Sequence, residues 1–253
     1  PALRPWVKST PQQLRQTEDA VLAVVNSVLS ELAVAELDHF CELFALEEDF
    51  LITLPELDHY PDRGAANFWG PVLSDAQGVA PIWPGGEGKK IFAYLKPSYP
   101  HFETLLGFLS TAPFRTLVYP GSASAVALAK YRTNQLAISA QPVDIVQAAG
   151  LCDVALCHAG HGTCAAMLLA GCPLLLLPMQ VEQFLLARSL VNQGMALVID
   201  HTQRENFSHK LEQVLEDPAF KTHARAFSAK YQSLSQHGIV QSIVTRCEAL
   251  ANH

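Results

Sequence analysis

The residues best placed to do chemistry lie between Asp153 and Gln183. A run suited to a buried strand, Asp153 to Cys157, leads into His158-Ala159-Gly160-His161-Gly162-Thr163, and a helix is expected to open at about Thr163. Such a turn suits a phosphate. Gly160 and Gly162 let the backbone approach a ligand closely, Thr163 can cap the helix, and first-turn N–H groups point at an anion that the helix dipole favours. His158 falls at the carboxyl end of its strand, where open α/β sheets bind ligands. Further on, Glu182 and Gln183 open another helix at its ligand-facing end. Taken singly, the turn is also a plain Gly-rich connection with a surface histidine, and the pair a solvated helix start whose acid complements the dipole. The same run offers Cys157, His158, His161 and Cys164 to a metal. Structural zinc sites draw on two separated ligand pairs such as Cys-x2-Cys, which this run lacks, so no metal is expected.

Elements able to position these residues recur from about residue 90. Short apolar runs suit strands at Ile91 to Leu95, Arg115 to Tyr119, Gln135 to Ser139, Asp153 to Cys157, Leu174 to Leu177 and Ala196 to Asp200. The central runs are apolar throughout, as strands covered on both faces should be. Helical patterns at about His101 to Ser110, Ser122 to Tyr131, Thr163 to Ala170 and Glu182 to Asn192 alternate with them. This order predicts an α/β fold, a Rossmann-like doubly wound parallel sheet. Three further helices are expected at about Arg204 to Glu216, Pro218 to Ser235 and Ile239 to Ala251.

The first 80 residues differ. An amphipathic helix over Pro11 to Leu32 carries Leu14, Val21, Val25, Val28 and Leu32 on one stripe, which needs a partner surface. A short helix near Leu37 to Leu46, a strand at Phe50 to Leu54 and an apolar run at Phe68 to Val72 follow. These are too few for a complete α/β domain, so residues 1–80 are expected to be the tail and linker of a preceding domain, with residues 81–253 the sheet domain. The linker is the Pro- and Gly-rich Ser74 to Lys90. The opening Pro1-Ala2-Leu3, without Met or a signal-peptide pattern, fits a fragment boundary.

Composition narrows the function. The 253 residues are 49% hydrophobic and 16% charged, with a net charge of −7, which excludes disorder and offers no basic face for nucleic acid. No apolar run approaches the length of a membrane span. Six cysteines sit mostly in apolar segments, as reduced thiols of a cytoplasmic protein would.

The run from His158 to Gln183 resembles the donor-site pattern of nucleotide-sugar-dependent glycosyltransferases of the macrolide, glycopeptide and plant natural-product type. It matches at His158, Gly160, Gly162, Thr163, Leu168, Gly171, Pro173, Pro178, Glu182 and Gln183, ten residues in register over 26 positions. Pro55-Glu56-Leu57-Asp58 and Trp69-Gly70-Pro71 are similar to the end of that family's acceptor domain. The resemblance implies a two-Rossmann-domain (GT-B) enzyme, of which this chain is mainly the C-terminal, donor-binding half. It implies that His158 hydrogen-bonds a diphosphate oxygen, that Gly160, Gly162 and Thr163 cradle the phosphates, and that Glu182 and Gln183 hold sugar hydroxyls. The nucleobase is implied to lie against Ala140, Gln141, Pro142 and Val143.

The implied reaction moves a sugar from a UDP- or TDP-sugar to a small-molecule hydroxyl with inversion and without a metal or other cofactor. The general base is expected in an N-terminal region outside this sequence, so no catalytic residue is assigned, and the isolated chain is expected to be inactive and to self-associate. His101, His201 and His209 are expected to be surface or capping residues. Ala166 stands where the family commonly carries a ribose-binding Glu, Ala159 where it has Gly, and Leu186 where many members have Asn. These departures leave two other readings, a nucleotide-binding domain without catalysis and an interaction domain with a degenerate site.

Overall fold

In the computed structural model, residues 10–60, 63–73, 78–200 and 207–252 are described. They fall into two compact units, Pro1–Phe50 and Leu51–His253. By packing, the chain therefore divides after Phe50, whereas the sequence reading put a boundary at residue 80.

In the first unit the expected amphipathic helix is α1 (Pro11–Glu31). Thr10 and Gln13 close a capping box at its start and Pro11 occupies its first turn, a position that loses nothing by lacking an N–H. Asn26 ties α1 to the returning chain, accepting from the Leu37 N–H and donating to its carbonyl, both at 2.9 Å. A single 3-10 turn, Phe40–Phe44, replaces the short helix expected there.

The second unit is built on six parallel strands: β1 (Lys90–Tyr94), β2 (Arg115–Tyr119), β3 (Leu136–Ile138), β4 (Val154–Cys157), β5 (Leu174–Leu176) and β6 (Ala196–Val198). Their order in the sheet is β3-β2-β1-β4-β5-β6. Alternation along each strand feeds two cores. Phe92, Leu117, Ala155, Cys157, Leu174 and Leu176 face one, and Ile91, Ala93, Val118, Leu136, Leu156 and Leu175 the other. Helices cover both faces: α2 (Phe102–Thr111), α3 (Ile145–Leu151), α4 (His161–Leu169), α5 (Val181–Asn192), α6 (Phe207–Glu216), α7 (Pro218–Lys230) and α8 (Gln236–Ala251). None of the described helices is long and apolar enough to cross a membrane.

All six expected strands are present. Three other expectations are corrected. Ser122 to Tyr131, read as a helix, is a series of turns ending in a 3-10 turn at Ala129–Tyr131. Its alanines favour helix, yet Val126 is 85% exposed and only Leu128 is buried, with Ala123, Ala125 and Tyr131 partly buried against the core, too little apolar contact to stabilise a short helix. Phe50 to Leu54 is not a strand but one bridge, Leu51 to Phe68. Helix α3 was not anticipated, although Asp144 accepts from the Gln147 N–H at 3.0 Å and the D-x-x-Q spacing announces that cap.

Residues 51–60 pack onto the sheet unit. Leu54 and Leu57 are buried in its first core, and the Glu56 carbonyl accepts from Ser189 Oγ and Gln193 Nε2. Burial alone would raise the Glu56 pKa, but hydrogen bonds from Lys230 and Tyr231 bring it below the ordinary carboxylate value. This segment thereby holds Thr53 and His59 over the start of α4.

Candidate functional site

The chain leaves β1 toward β2 and β3, then crosses back to place β4 on the other side of β1. The crevice outside the carboxyl ends of β1 and β4 is thus the switch point, where sheets of this kind bind ligands. Lys96 follows β1 into it and His158 follows β4.

The turn after β4 is tighter than its sequence suggests. Ala159 is buried and adopts a left-handed backbone with φ 57°, a region that disfavours any residue with a Cβ. Gly160, extended at φ −68° and ψ 132°, is the N-cap, and no side chain caps the helix. Helix α4 therefore starts at His161, two residues before the expected start, and Thr163 lies inside the first turn instead of capping it. The first intrahelical bond runs from the Cys164 N–H to the Gly160 carbonyl at 3.0 Å. The N–H groups of His161, Gly162 and Thr163 precede it and are left for a ligand.

His158 is 5% exposed. Its Nδ1 lies 2.8 Å from the Leu177 carbonyl and its Nε2 accepts from the Lys96 N–H at 2.8 Å. A carbonyl only accepts and an amide N–H only donates, so the proton sits on Nδ1 and the ring is neutral. Burial lowers its pKa, the Lys96 ammonium lowers it further, and the bond to Leu177 opposes both. The resemblance implied a diphosphate contact for His158. Here both nitrogens are used within the protein, and the imidazole joins the segments that follow β1, β4 and β5.

Glu182 and Gln183 open α5 at the same edge. Gln183 is buried and its Oε1 accepts from the Met179 N–H at 2.8 Å, leaving the amide nitrogen to donate. Glu182 is exposed, with Oε1 3.2 Å from His59 Nε2. His59 in turn faces His161 at 6.3 Å between ring centroids, and His161 Nε2 lies 2.6 Å from Thr53 Oγ1. Burial lowers the His161 pKa, His59 adds to this, and Glu182 works against it. Nothing in the spacing of the sequence pointed to Thr53 or His59, which reach the site from more than 100 residues away.

The four metal-type side chains of the turn separate. Cys157 and Cys164 put their sulfurs 4.0 Å apart in the core, while His158 and His161 turn to different partners. Of the other histidines, His101 and His209 are exposed and His201 lies outside the described residues.

Ala140, Gln141 and Pro142 are exposed after β3, at the same edge of the sheet, and Val143 is buried. The loop is held by Val79, whose N–H donates to the Pro142 carbonyl and whose carbonyl accepts from Asp144. Val143 is the partner of Val79 in this bridge, whose two bonds use the flanking Pro142 carbonyl and Asp144 N–H. Ala166 and Leu186 are both buried.

Residues 124–243, just under half of the chain, match the model of the glycosyltransferase family 28 C-terminal domain. The fold is of the GT-B glycosyltransferase type. It is similar to the glycotransferase of kitacinnamycin, with a TM-score of 0.72 at 18% identity over 90% of this chain and 62% of that one. The spinosyn forosaminyltransferase SpnP matches with a TM-score of 0.68 at 17% identity, over 97% of this chain and 64% of its own. Glycosyltransferase VinC, solved in complex with DTDP, gives 0.65 at 18% identity over 80% and 52%. The GT-B-type chain thus spans less than two thirds of each of these relatives. No curated protein shows significant sequence similarity to it.

Proposed function

We propose that residues 81–253 are the donor-binding domain of a glycosyltransferase that moves a sugar from a thymidine- or uridine-diphosphate sugar to a small-molecule hydroxyl with inversion. The observation that carries this reading is the group of three uncapped N–H groups, at His161, Gly162 and Thr163, opening into the switch-point crevice. They suit the diphosphate, whose negative charge grows as the sugar departs, and donors fixed in advance need no reorganisation to meet it. A DTDP complex of the related VinC supports the choice of ligand class.

The nucleobase then lies against residues 140–143, where the Val143 backbone groups can meet its edge. Glu182 and Gln183 bind the sugar, the first by accepting and the second by donating from its amide nitrogen. The helix amides serve the leaving group in place of a metal. A general base supplied from elsewhere in the intact enzyme takes the acceptor proton, the acceptor oxygen bonds to the anomeric carbon, and the electron pair of the broken bond stays on the diphosphate.

Isothermal calorimetry with thymidine and uridine diphosphate tests the reading. Binding of either, competed by the matching nucleotide sugar, is the expected result. Absence of binding to all four ligands would remove the proposal.

A further inference from the structure

His158 is neutral and both its nitrogens are engaged, so the proposed diphosphate meets only the partial charges of a helix start. That start is equivalent to roughly half an elementary charge, against the two or more negative charges of a nucleoside diphosphate. A full positive charge is missing from the account.

Four cations of this unit are paired with carboxylates. Arg63 pairs with Asp58, Lys89 with Asp153, Lys130 with Glu103 and Lys230 with Glu56. Lys96 is not: among the described residues its ammonium has neither a carboxylate nor a hydrogen-bond acceptor, and the side chain is half-buried. Its own backbone N–H, bonded to His158 Nε2, fixes its Cα beside the turn that opens α4. The ammonium is close enough to help lower the His158 pKa.

We propose that Lys96 is the cation of the donor site, its ammonium binding the diphosphate held by the α4 amides and stabilising it as it leaves. This rests on the donor-site reading above. During transfer the bond from the anomeric carbon to the phosphate oxygen breaks with its electron pair remaining on that oxygen. Lys96 is already protonated, so it meets the new charge without giving up a proton. His158 acts as the positioning residue, since its bond to the Lys96 N–H sets where the ammonium starts from. The competing account is a lysine whose stem covers apolar surface while its charge stays in water.

The test is calorimetry of thymidine diphosphate against the full chain, Lys96→Met, Lys96→Arg and, as a control, Lys89→Met. Methionine keeps the stem and leaves the backbone N–H to His158, so the fold is retained. Lys89 lies at the opposite edge of the sheet, where its loss removes the same net charge. Lys96→Met should weaken binding by about ten- to a hundredfold, the usual range for a lost charge-assisted bond. Lys96→Arg should restore most of the affinity and Lys89→Met should leave it unaltered. Raising salt should weaken the parent more than Lys96→Met. If Lys96→Met binds as the parent does, or Lys89→Met falls equally, the assignment is wrong while the donor site stands. If the parent binds no nucleoside diphosphate, the donor site itself is wrong.

Discussion

Thr53 Oγ1 lies 2.6 Å from His161 Nε2, so the residue that opens α4 is held through its ring while its N–H remains free. The two groups can be separated by substitution. Proline suits the first turn of a helix, and Gly160 before it already has the extended backbone that a residue preceding proline needs.

Both His161→Ala and His161→Pro lose the contact to Thr53, but only the proline loses the first amide. Compared with His161→Ala, His161→Pro should bind thymidine diphosphate more weakly by about 1.5–3 kcal/mol, the value of one hydrogen bond to a charged group. Equal affinities in calorimetry would mean that the anion does not use this amide.

The bonds of His158 predict a stability effect. Removing the ring leaves the Leu177 carbonyl and the Lys96 N–H without their partner, and His158→Ala should cost about 2–4 kcal/mol in urea unfolding. The pH dependence follows from the same burial. With the folded pKa lowered, the unfolded chain binds the proton more readily. The contribution is therefore fully present above the ordinary histidine pKa of about 6.5 and is lost as pH falls from there toward the folded value. His161 shifts in the same direction. Unfolding free energies between pH 7.5 and 5 should decline, less steeply in His158→Ala; an equal slope in the two proteins would contradict the assignment.

Ala159 tests the turn itself. Its left-handed backbone costs about 1–2 kcal/mol for a residue with a Cβ, against about 0.8 kcal/mol gained by burying the methyl group. The first term is larger, so Ala159→Gly should stabilise slightly, by under about 1 kcal/mol. Ala159→Val adds a β-branched chain to a buried left-handed position and should destabilise by more than about 2 kcal/mol. Thermal unfolding in which valine is tolerated would show that the turn can relax out of this conformation.

The sheet was legible because both faces are covered. Strands such as Val154–Cys157 are apolar at every position, and glycine or proline punctuates what lies between them. The tight strand-to-helix turn after β4 was legible for a related reason, since its glycines mark a sharp connection. The sequence did not tell which groups the side chains would use. His158 has the residue type of a ligand contact, but its partners come from the segments that follow β1 and β5, 62 and 19 residues away. Thr53 and His59 were invisible for the same reason. Residues 122–131 misled in the other direction, because alanine content reports helix propensity while tertiary packing decides whether a short helix forms.

Gly78 links the expected linker to the proposed base site. A Cβ there would fall on the backbone of Val143 and Asp144, the strip that Val79 bridges on one side and that caps α3 on the other. The requirement is for space, because backbone meets backbone with no flexible side chain to yield. Gly78→Ala should therefore displace residues 140–143, costing about 1–3 kcal/mol of stability as an overpacked site does. Thymidine diphosphate binding should weaken several-fold with it. Gly107, half-buried in α2 with open space where a Cβ would stand, supplies the contrast. Gly107→Ala should stabilise the domain by about 0.5–1 kcal/mol through helix propensity and leave binding unaltered. If Gly78→Ala lowers stability while nucleotide affinity holds, the loop after β3 is a structural brace, and the base must be sought elsewhere along the carboxyl edge of the sheet.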